Sequence, residues 1–310
     1  MFIEFHADDY GQTLMQCREI LECYERGVLN GVSIMPCSPC LPAAMELLHR
    51  VEREDRPILC TVHLDLIEGK ALSGNAVPSL INKKGELSCR FGQLLLWSFL
   101  PWRRSRVQQE VKTEFRAQIT RCLPWLRDGI IRLDGHAHYH MLPVVFDALM
   151  DVIEEDRLPV SSIRFPEESI ALYRRHRKEI DPIRPVNLIK VLLLNLLSRY
   201  NRQKYAAALA SMEQCTFMGV MLSGHMLEKN IRAILPDAVK SAESAGRNLQ
   251  LLFHPGGVYD EQNLAEVNSP ADRVFFSSAN RRKEKEALLH LTDWGGAAAL
   301  QTNRQEAGHP

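Results

Sequence analysis

Short apolar runs alternate with amphipathic stretches along most of the chain, and each pair reads as a strand followed by a helix. Residues 2–7 form a β-prone run that leads into an acidic turn. Residues 13–26 then place Leu14, Cys17, Leu21 and Tyr24 at helical spacing and stop at Gly27, which predicts a C-cap. The pattern repeats with a strand over 31–35, a helix over 41–50 and a strand over 57–66 in which Ile58, Leu59, Val62, Leu64 and Leu66 are apolar. Strands separated by helices of this length predict a parallel α/β sheet.

Residues 67–104 break the rhythm with Gly, Asn, Lys and Pro punctuation and read as a long excursion of the kind that forms lids. Val107, Val111, Phe115, Ile119 and Leu123 line one face of a helix that Pro124 ends. A strand over 129–133 follows, then a helix opened by Pro143 and a strand over 161–165. Residues 174–213 are a basic, Leu-rich insertion read as helical. The alternation resumes with a strand over 215–222, a helix bracketed by Pro236 and Gly246, and a last strand over 249–253. Residues 295–310 read as a flexible tail. About seven β/α units predict one parallel β/α barrel, distorted and TIM-barrel-like, over residues 1–294, with helical insertions at 67–104 and 174–213. An open doubly wound sheet is the structural alternative, although no Gly-x-Gly-x-x-Gly fingerprint accompanies it.

Composition narrows the function classes. A chain of 310 residues, 45% hydrophobic and 25% charged, excludes disorder. Lys+Arg and Asp+Glu both number 38, so no global field gathers nucleic acid or an anionic membrane, and neither is expected as a partner. The N-terminus lacks a basic region followed by an apolar stretch, and the apolar runs at 94–100 and 191–197 fall short of the roughly 20 residues that span a bilayer. The expectation is a soluble, cytoplasmic protein. The eight cysteines are scattered through apolar segments, as reduced core thiols are, and Cys37-Ser-Pro-Cys40 has no second pair to complete a zinc site.

The unusual polar residues all fall at predicted strand C-termini. Asp8 and Asp9 follow the first strand, His63 ends the third, and Asp134, His136, His138 and His140 follow the fourth. Arg164 closes the fifth and His254 follows the last. In parallel β/α folds that edge carries the active site, so these clusters converge on one pocket. A carboxylate with two imidazoles, leaving positions open for water and substrate, makes a hydrolytic metal site. Asp9, His63 and His136 fit it; Asp8 is placed to take a proton from water and His254 to give one to a leaving amine. Asp134 and His138 read as outer-shell or substrate groups. Each has a plainer reading: Asp-Asp after a strand as a turn, His63 as a core histidine, Arg164 as a structural ion pair, Arg174 through Lys178 as a solvated helical face.

His6-Ala-Asp-Asp-Tyr-Gly11, Val62-His-Leu-Asp-Leu-Ile-Glu-Gly69, Arg132-Leu-Asp-Gly-His-Ala-His-Tyr-His140, Gly219-Val-Met-Leu-Ser-Gly224 and Phe253-His-Pro-Gly256 resemble, in order, motifs of the YdjC-like carbohydrate deacetylases, a family that includes chitooligosaccharide deacetylases. The match spans residues 1–256. The resemblance implies a distorted barrel, one divalent metal ion, a homodimer, and removal of an N-acetyl group from a mono- or oligosaccharide with release of acetate. It carries the ligand roles to Asp9, His63 and His136, the base to Asp8, the acid to His254, and a position near the substrate to Arg164. Oxygen and imidazole ligands suit magnesium or zinc, ahead of cobalt, nickel or manganese. His6 and Asp65 stand where the family usually has Asn, which bears on sugar specificity.

Two rivals belong to other classes: a carbohydrate-binding barrel without turnover, and a metal-independent glycosidase using Asp8 with Asp134. The first requires a broken constellation, whereas Asp8, Asp9, His63, His136 and His254 are all present. The second would survive chelation. The excursions at 67–104 and 174–213 leave the barrel on its catalytic edge and are expected to set which sugar enters.

Overall fold

The computed structural model describes residues 1–257, 273–274 and 277–294. Seven strands form one parallel sheet: β1 (Ile3–Tyr10), β2 (Gly31–Ile34), β3 (Leu59–Leu64), β4 (Ile131–Gly135), β5 (Val160–Ile163), β6 (Cys215–Met218) and β7 (Asn248–Phe253), in the order β5-β4-β3-β2-β1-β7-β6. Helices α1 (Leu14–Arg26), α2 (Leu41–Val51), α4 (Pro101–Cys122), α5 (Pro143–Glu155) and α9 (Glu228–Ser244) supply crossovers, and α10 (Ala279–His290) follows the last strand. The excursion after β3 contributes α3 (Phe91–Trp97). The one after β5 contributes α6 (Ile170–Arg175), α7 (Pro185–Lys204) and α8 (Ala206–Leu209), so its helical reading holds.

The sheet is strongly curled. Strands are spaced about 4.8 Å apart, so β1 and β4 in a flat sheet would stand ~14 Å apart. Yet Arg132 Nη2 on β4 lies 2.5 Å from Glu4 Oε2 on β1, and Arg164 Nε just beyond β5 lies 2.8 Å from Gln250 Oε1 on β7. The edges meet at one parallel bridge, Ser162 with Glu213 just ahead of β6, where the Glu213 N–H donates to Ser161 O at 2.8 Å. A small cavity of about 20 Å³ at this seam touches Arg132, Arg164 and Gln250. The described strands therefore make a curled α/β sheet that bears out the distorted, parallel β/α architecture anticipated in its coarse form, without a closed barrel among the described residues.

Period-two alternation sets the two faces of the sheet. Phe5, Ala7, Val32, Val62, Leu133 and Phe253 are buried in the apolar core between sheet and helices. Glu4, His6, Asp8, Ser33, Arg132 and Asp134 point the other way, into the trough, and are bonded to one another there. Gly31 is required by that filling, because a Cβ there would stand 2.6 Å from His6 Nδ1 and 2.8 Å from Glu4 Oε1.

Several expected boundaries shift. β1 runs on to Tyr10 and β4 to Gly135, so Asp8, Asp9 and Asp134 lie inside strands instead of after them. β3 is shorter than 57–66, and β6 ends at Met218, where Gly219 turns the chain at φ 156°. α9 starts two turns before Pro236, which sits inside it; the missing N–H removes one helical hydrogen bond without stopping the helix. The expected tail at 295–310 lies outside the described residues.

Candidate active site

Alternation alone would turn Asp8 inward and Asp9 outward. The β1–β2 register slips between Ala7 and Tyr10, and Asp9 takes φ 67°, a left-handed conformation that Asp tolerates better than most residues. Both carboxylates therefore face the mouth of the trough. β3 brings His63 there by ordinary alternation. His136 opens a tight turn, residues His136–Met141, in which Ala137 and His138 both have positive φ (47° and 61°). Backbone of this kind costs on the order of 1–3 kcal/mol per residue and is held by its surroundings. Here His140 Nε2 donates to Arg164 O at 2.8 Å, and a Cβ on Gly135 would meet His140 Nδ1 at 2.7 Å.

The three expected ligands come together. His136 Nδ1 is 3.1 Å from Asp9 Oδ1 and 3.3 Å from His63 Nε2, and His63 Nε2 is 3.5 Å from Asp9 Oδ1. Their donor atoms all lie within 4.8 Å of one another. Asp9 Oδ2 is buried without a hydrogen-bond partner among the described residues, and Arg281 Nη2 of α10 stands 3.9 Å from it. A converging carboxylate and two imidazoles around an orphaned anionic oxygen fit a small cation.

Electrostatics point the same way. Burial alone would lower both imidazoles. The Asp134 and Asp8 carboxylates nevertheless hold His63 well above its usual range, and Asp9 lifts His136 to about 9. Burial would raise Asp9, but hydrogen bonds from His136 and His63 keep it well below the usual carboxylate range. The pocket thus favours positive charge at the point where the three side chains meet.

Asp134 fixes the tautomer of His63: its Oδ1 accepts from His63 Nδ1 at 2.6 Å, which turns Nε2 toward Asp9. The other oxygen accepts from Ser33 Oγ (2.5 Å) and forms an ion pair with Arg164 Nη1 (2.8 Å). Arg164 Nη1 also donates to both Asp8 oxygens, at 2.8 and 2.9 Å. Its side chain is 2% exposed and its donors are spent inside the trough, so it holds Asp8 and does not line the opening. His6, Asp8 and Asp134 also bring ligand-type atoms together, but the guanidinium already supplies the positive charge among them.

His138 is buried edge-on to Phe217 with ring centres 5.9 Å apart, and burial together with Arg164 holds it well below its usual range, hence neutral. His254 is one residue beyond β7, whose Phe253 pairs with Ala7 of β1; this places it at the Asp8–Asp9 edge. It is half-buried, its N–H donates to Glu284 Oε2 at 2.6 Å, and its charge helps hold Asp9 ionised.

Four participants escaped the sequence reading. Glu68 Oε1 lies 3.6 Å from His136 Nε2, and Gln12 donates to the same Glu68 oxygen at 2.5 Å. Arg281 and Glu284 reach the site from α10 and fasten Gly256 O and the His254 N–H. Their signal was faint: two buried charges three residues apart on a helix otherwise rich in solvated ones.

The family described as YdjC-like protein matches residues 3–292. A carbohydrate deacetylase of Thermoanaerobacter pseudethanolicus is 28% identical over 54% of this chain and 63% of its own length. A chitooligosaccharide deacetylase of Serratia marcescens is 27% identical over 50% and 56%. The chain thus spans somewhat over half the length of these curated relatives, whereas a carbohydrate deacetylase of Danio rerio is matched at 24% identity over 91% of this chain and 90% of its own. The solved structure of a putative cellobiose-phosphate cleavage protein from Enterococcus faecalis V583 has the same fold, with TM-score 0.64 at 18% identity over 97% and 94% of the two chains. No helix among the described residues is long and apolar enough to cross a membrane.

Proposed function

The chain belongs to the YdjC-like protein family, and from that premise we propose that it is a hydrolase removing the acetyl group from an N-acetylated sugar, with a divalent cation held by Asp9, His63 and His136. The observation that carries the reading is the meeting of those three donors around an orphaned Asp9 oxygen, beside an aspartate clamped by a buried arginine. When bound, such a cation supplies Lewis acidity, lowering the pKa of water and polarising the acetamide carbonyl. Magnesium or zinc suits the ligands, with cobalt, nickel or manganese next.

The remaining work falls to the chain. Asp8 accepts the proton of the attacking water, and Arg164 fixes both its oxygens so that the carboxylate stays aimed. His254 gives a proton to the sugar nitrogen as the carbon–nitrogen bond breaks, because an unprotonated amide nitrogen is a very poor leaving group. Asp134 keeps the His63 Nε2 lone pair toward the cation site. Water, amide and one transferred proton account for the products, acetate and a free amine. The glycosidase alternative would work between Asp8 and Asp134, but one guanidinium nitrogen lies 2.8 Å from each and occupies the space a sugar carbon would need. The test is acetate release from an N-acetylated disaccharide before and after chelation, with metal content by elemental analysis. Full metal content in both His63→Ala and His136→Ala overturns the ligand assignment; activity that survives complete chelation overturns the mechanism.

A further inference from the structure

Helix α7 is apolar on two sides. Its buried side mixes Val191, Leu194 and Leu197 with Asn187, Asn195, Ser198 and Asn201, while Ile189, Leu192, Leu196 and Tyr200 stand exposed, at 64%, 53%, 65% and 46%. The inward amides are spent on backbone: Asn195 on Glu168 N and O, Asn187 on Met221 O and Ser223 O, Asn201 on Met141 O. A helix whose only neighbours were protein and water would not carry this second apolar stripe on its outward side. The outward stripe, spaced three to four residues apart, has no partner among the described residues. Leu96, Phe99 and Trp102 at the junction of α3 and α4 are equally bare, at 58%, 69% and 74%. The two regions meet at α5, where Asp147 accepts from both Arg104 of α4 and Lys204 of α7.

Charge identifies the occupant. Residues 90–109 contain four arginines and residues 183–212 five basic residues, and neither segment contains an Asp or a Glu, in a chain whose total charge is zero. Some of these cations are paired with carboxylates from elsewhere, Asp147 and Glu167 among them. Arg90, Arg103 and Lys190 are exposed and form no ion pair among the described residues. A second copy docking through the same surface would set like charges against one another, whereas an apolar stripe edged by cations matches the interface of an anionic bilayer. Trp102 and Tyr200 are residue types that favour that depth.

We infer that the exposed faces of α7 and the α3–α4 junction seat the protein on an anionic membrane surface, so that its substrate is an acetamido sugar carried on a membrane lipid. The same helices border the catalytic mouth. Phe91 of α3 packs edge-on against Tyr139 with ring centres 5.3 Å apart, and Asn201 of α7 holds Met141 O, both in the turn that begins with His136. A leaflet under these helices lies beside the opening, within reach of a headgroup sugar. The balanced total charge conceals this segregation, which is why composition alone argues against any membrane contact. The choice of substrate rests on the deacetylase reading; the surface does not.

The test is co-sedimentation of the full chain with phosphatidylcholine vesicles, with and without phosphatidylglycerol. Binding is expected only with the anionic lipid. It should fall roughly tenfold or more in Ile189→Glu/Leu196→Glu and in Phe99→Glu/Trp102→Glu, and weaken with added salt. These side chains are already in water, so circular dichroism should be unchanged. A blue shift of Trp102 emission on vesicles, absent from Trp102→Phe, reports the same event without a disruptive change. Acetate release from a soluble N-acetylated disaccharide should be unaffected by the substitutions, while release from an acetamido glycolipid in vesicles should drop. No vesicle binding, or binding indifferent to both double variants, overturns the inference. A concentration-dependent dimer abolished by the same substitutions, without vesicle binding, overturns it in favour of a second copy. Vesicle binding by a protein that releases acetate from no sugar upholds the surface and overturns the deacetylase reading.

Discussion

Arg132→Met tests whether the charges inside the trough hold the sheet in its curl. Arg132 is 9% exposed and its Nη2 lies 2.5 Å from Glu4 Oε2; Glu4 is fully buried and otherwise bonded to His6 and Gln250. Burial alone would raise the Glu4 carboxyl, but Arg132, with His6 and Gln250 behind it, holds it well below the usual carboxylate range. Removing one partner of such a pair strands the other and typically costs 3–5 kcal/mol, with no discount for solvent screening at this depth. Two remaining partners favour the lower end, about 3 kcal/mol. For 310 residues at ~2.1 cal/mol/K each, the unfolding entropy is ~0.65 kcal/mol/K, so Tm should fall by about 5 °C near pH 8. The pH dependence has a definite sign. In the wild type the depressed Glu4 contributes stability above the unfolded value of 4.5 that is lost as pH falls. In the variant burial dominates, Glu4 can take up a proton, and the penalty of its stranded charge is relieved on acidification. The gap between the two proteins should therefore narrow toward about pH 4. Thermal unfolding followed by circular dichroism reads both quantities. A variant melting within about 1 °C of the wild type near pH 8, or a gap constant with pH, would refute the idea that Arg132 keeps Glu4 ionised.

Asp8→Asn and His254→Ala should each keep the fold and the bound metal while losing on the order of a hundredfold in kcat; acetate release at the wild-type rate in either removes that residue from the proton transfers. Gly31→Ala would drive a Cβ into His6 and Glu4, and is expected to cost about 1–3 kcal/mol in a urea titration. Burial pushes the Glu168 carboxyl up to about 7, against hydrogen bonds from Tyr173 and three consecutive backbone N–H groups, 219–221. Because that value lies above the unfolded 4.5, the folded chain holds a proton the unfolded chain lacks. The associated stability, about 3 kcal/mol, is complete below pH 4.5 and lost as pH rises through 7. Glu168→Gln should flatten that slope in unfolding measured across this range; an unchanged slope would mean that another group titrates.

The order and direction of the strands were legible because each apolar run is short and each is followed by a helix-spaced stripe. The convergence of Asp8, His63, Asp134 and Arg164 followed from that order, since strand C-termini share one edge. What stayed hidden depends on local geometry or on distant packing. Nothing in the residues themselves reveals that Asp9 turns inward through a slipped register and a left-handed φ. Arg164 read as a group near the substrate, because a sequence does not show that its donors are spent on Asp8, Asp134 and Gln250. Pro236 read as the start of α9, because a helix that loses one hydrogen bond can still be held by buried Ile231, Ile234 and Leu235. The Leu-rich insertion was recognised as helical, but its second, outward apolar stripe appears only once Val191, Leu194 and Leu197 are seen to face inward with the asparagines.

The interior of the curled sheet is hydrogen-bonded from its floor to its mouth, with Phe217 packed beside Arg164 and His138. Glu4, Arg132, Gln250, Arg164 and Asp8 form one bonded chain from the base of the trough to the reacting edge. Inherited variation should therefore be partitioned within such a molecule. Interior positions can drift only in concert, since a change at one strands a charge at the next, so a descendant without Arg164 should have replaced Asp8 or Asp134 as well. The excursions after β3 and β5 stand outside that chain and can lengthen, shorten or change polarity one residue at a time. New substrates should then arise through the rim while the trough stays fixed, and two relatives could share every interior charge yet meet their sugars on entirely different surfaces.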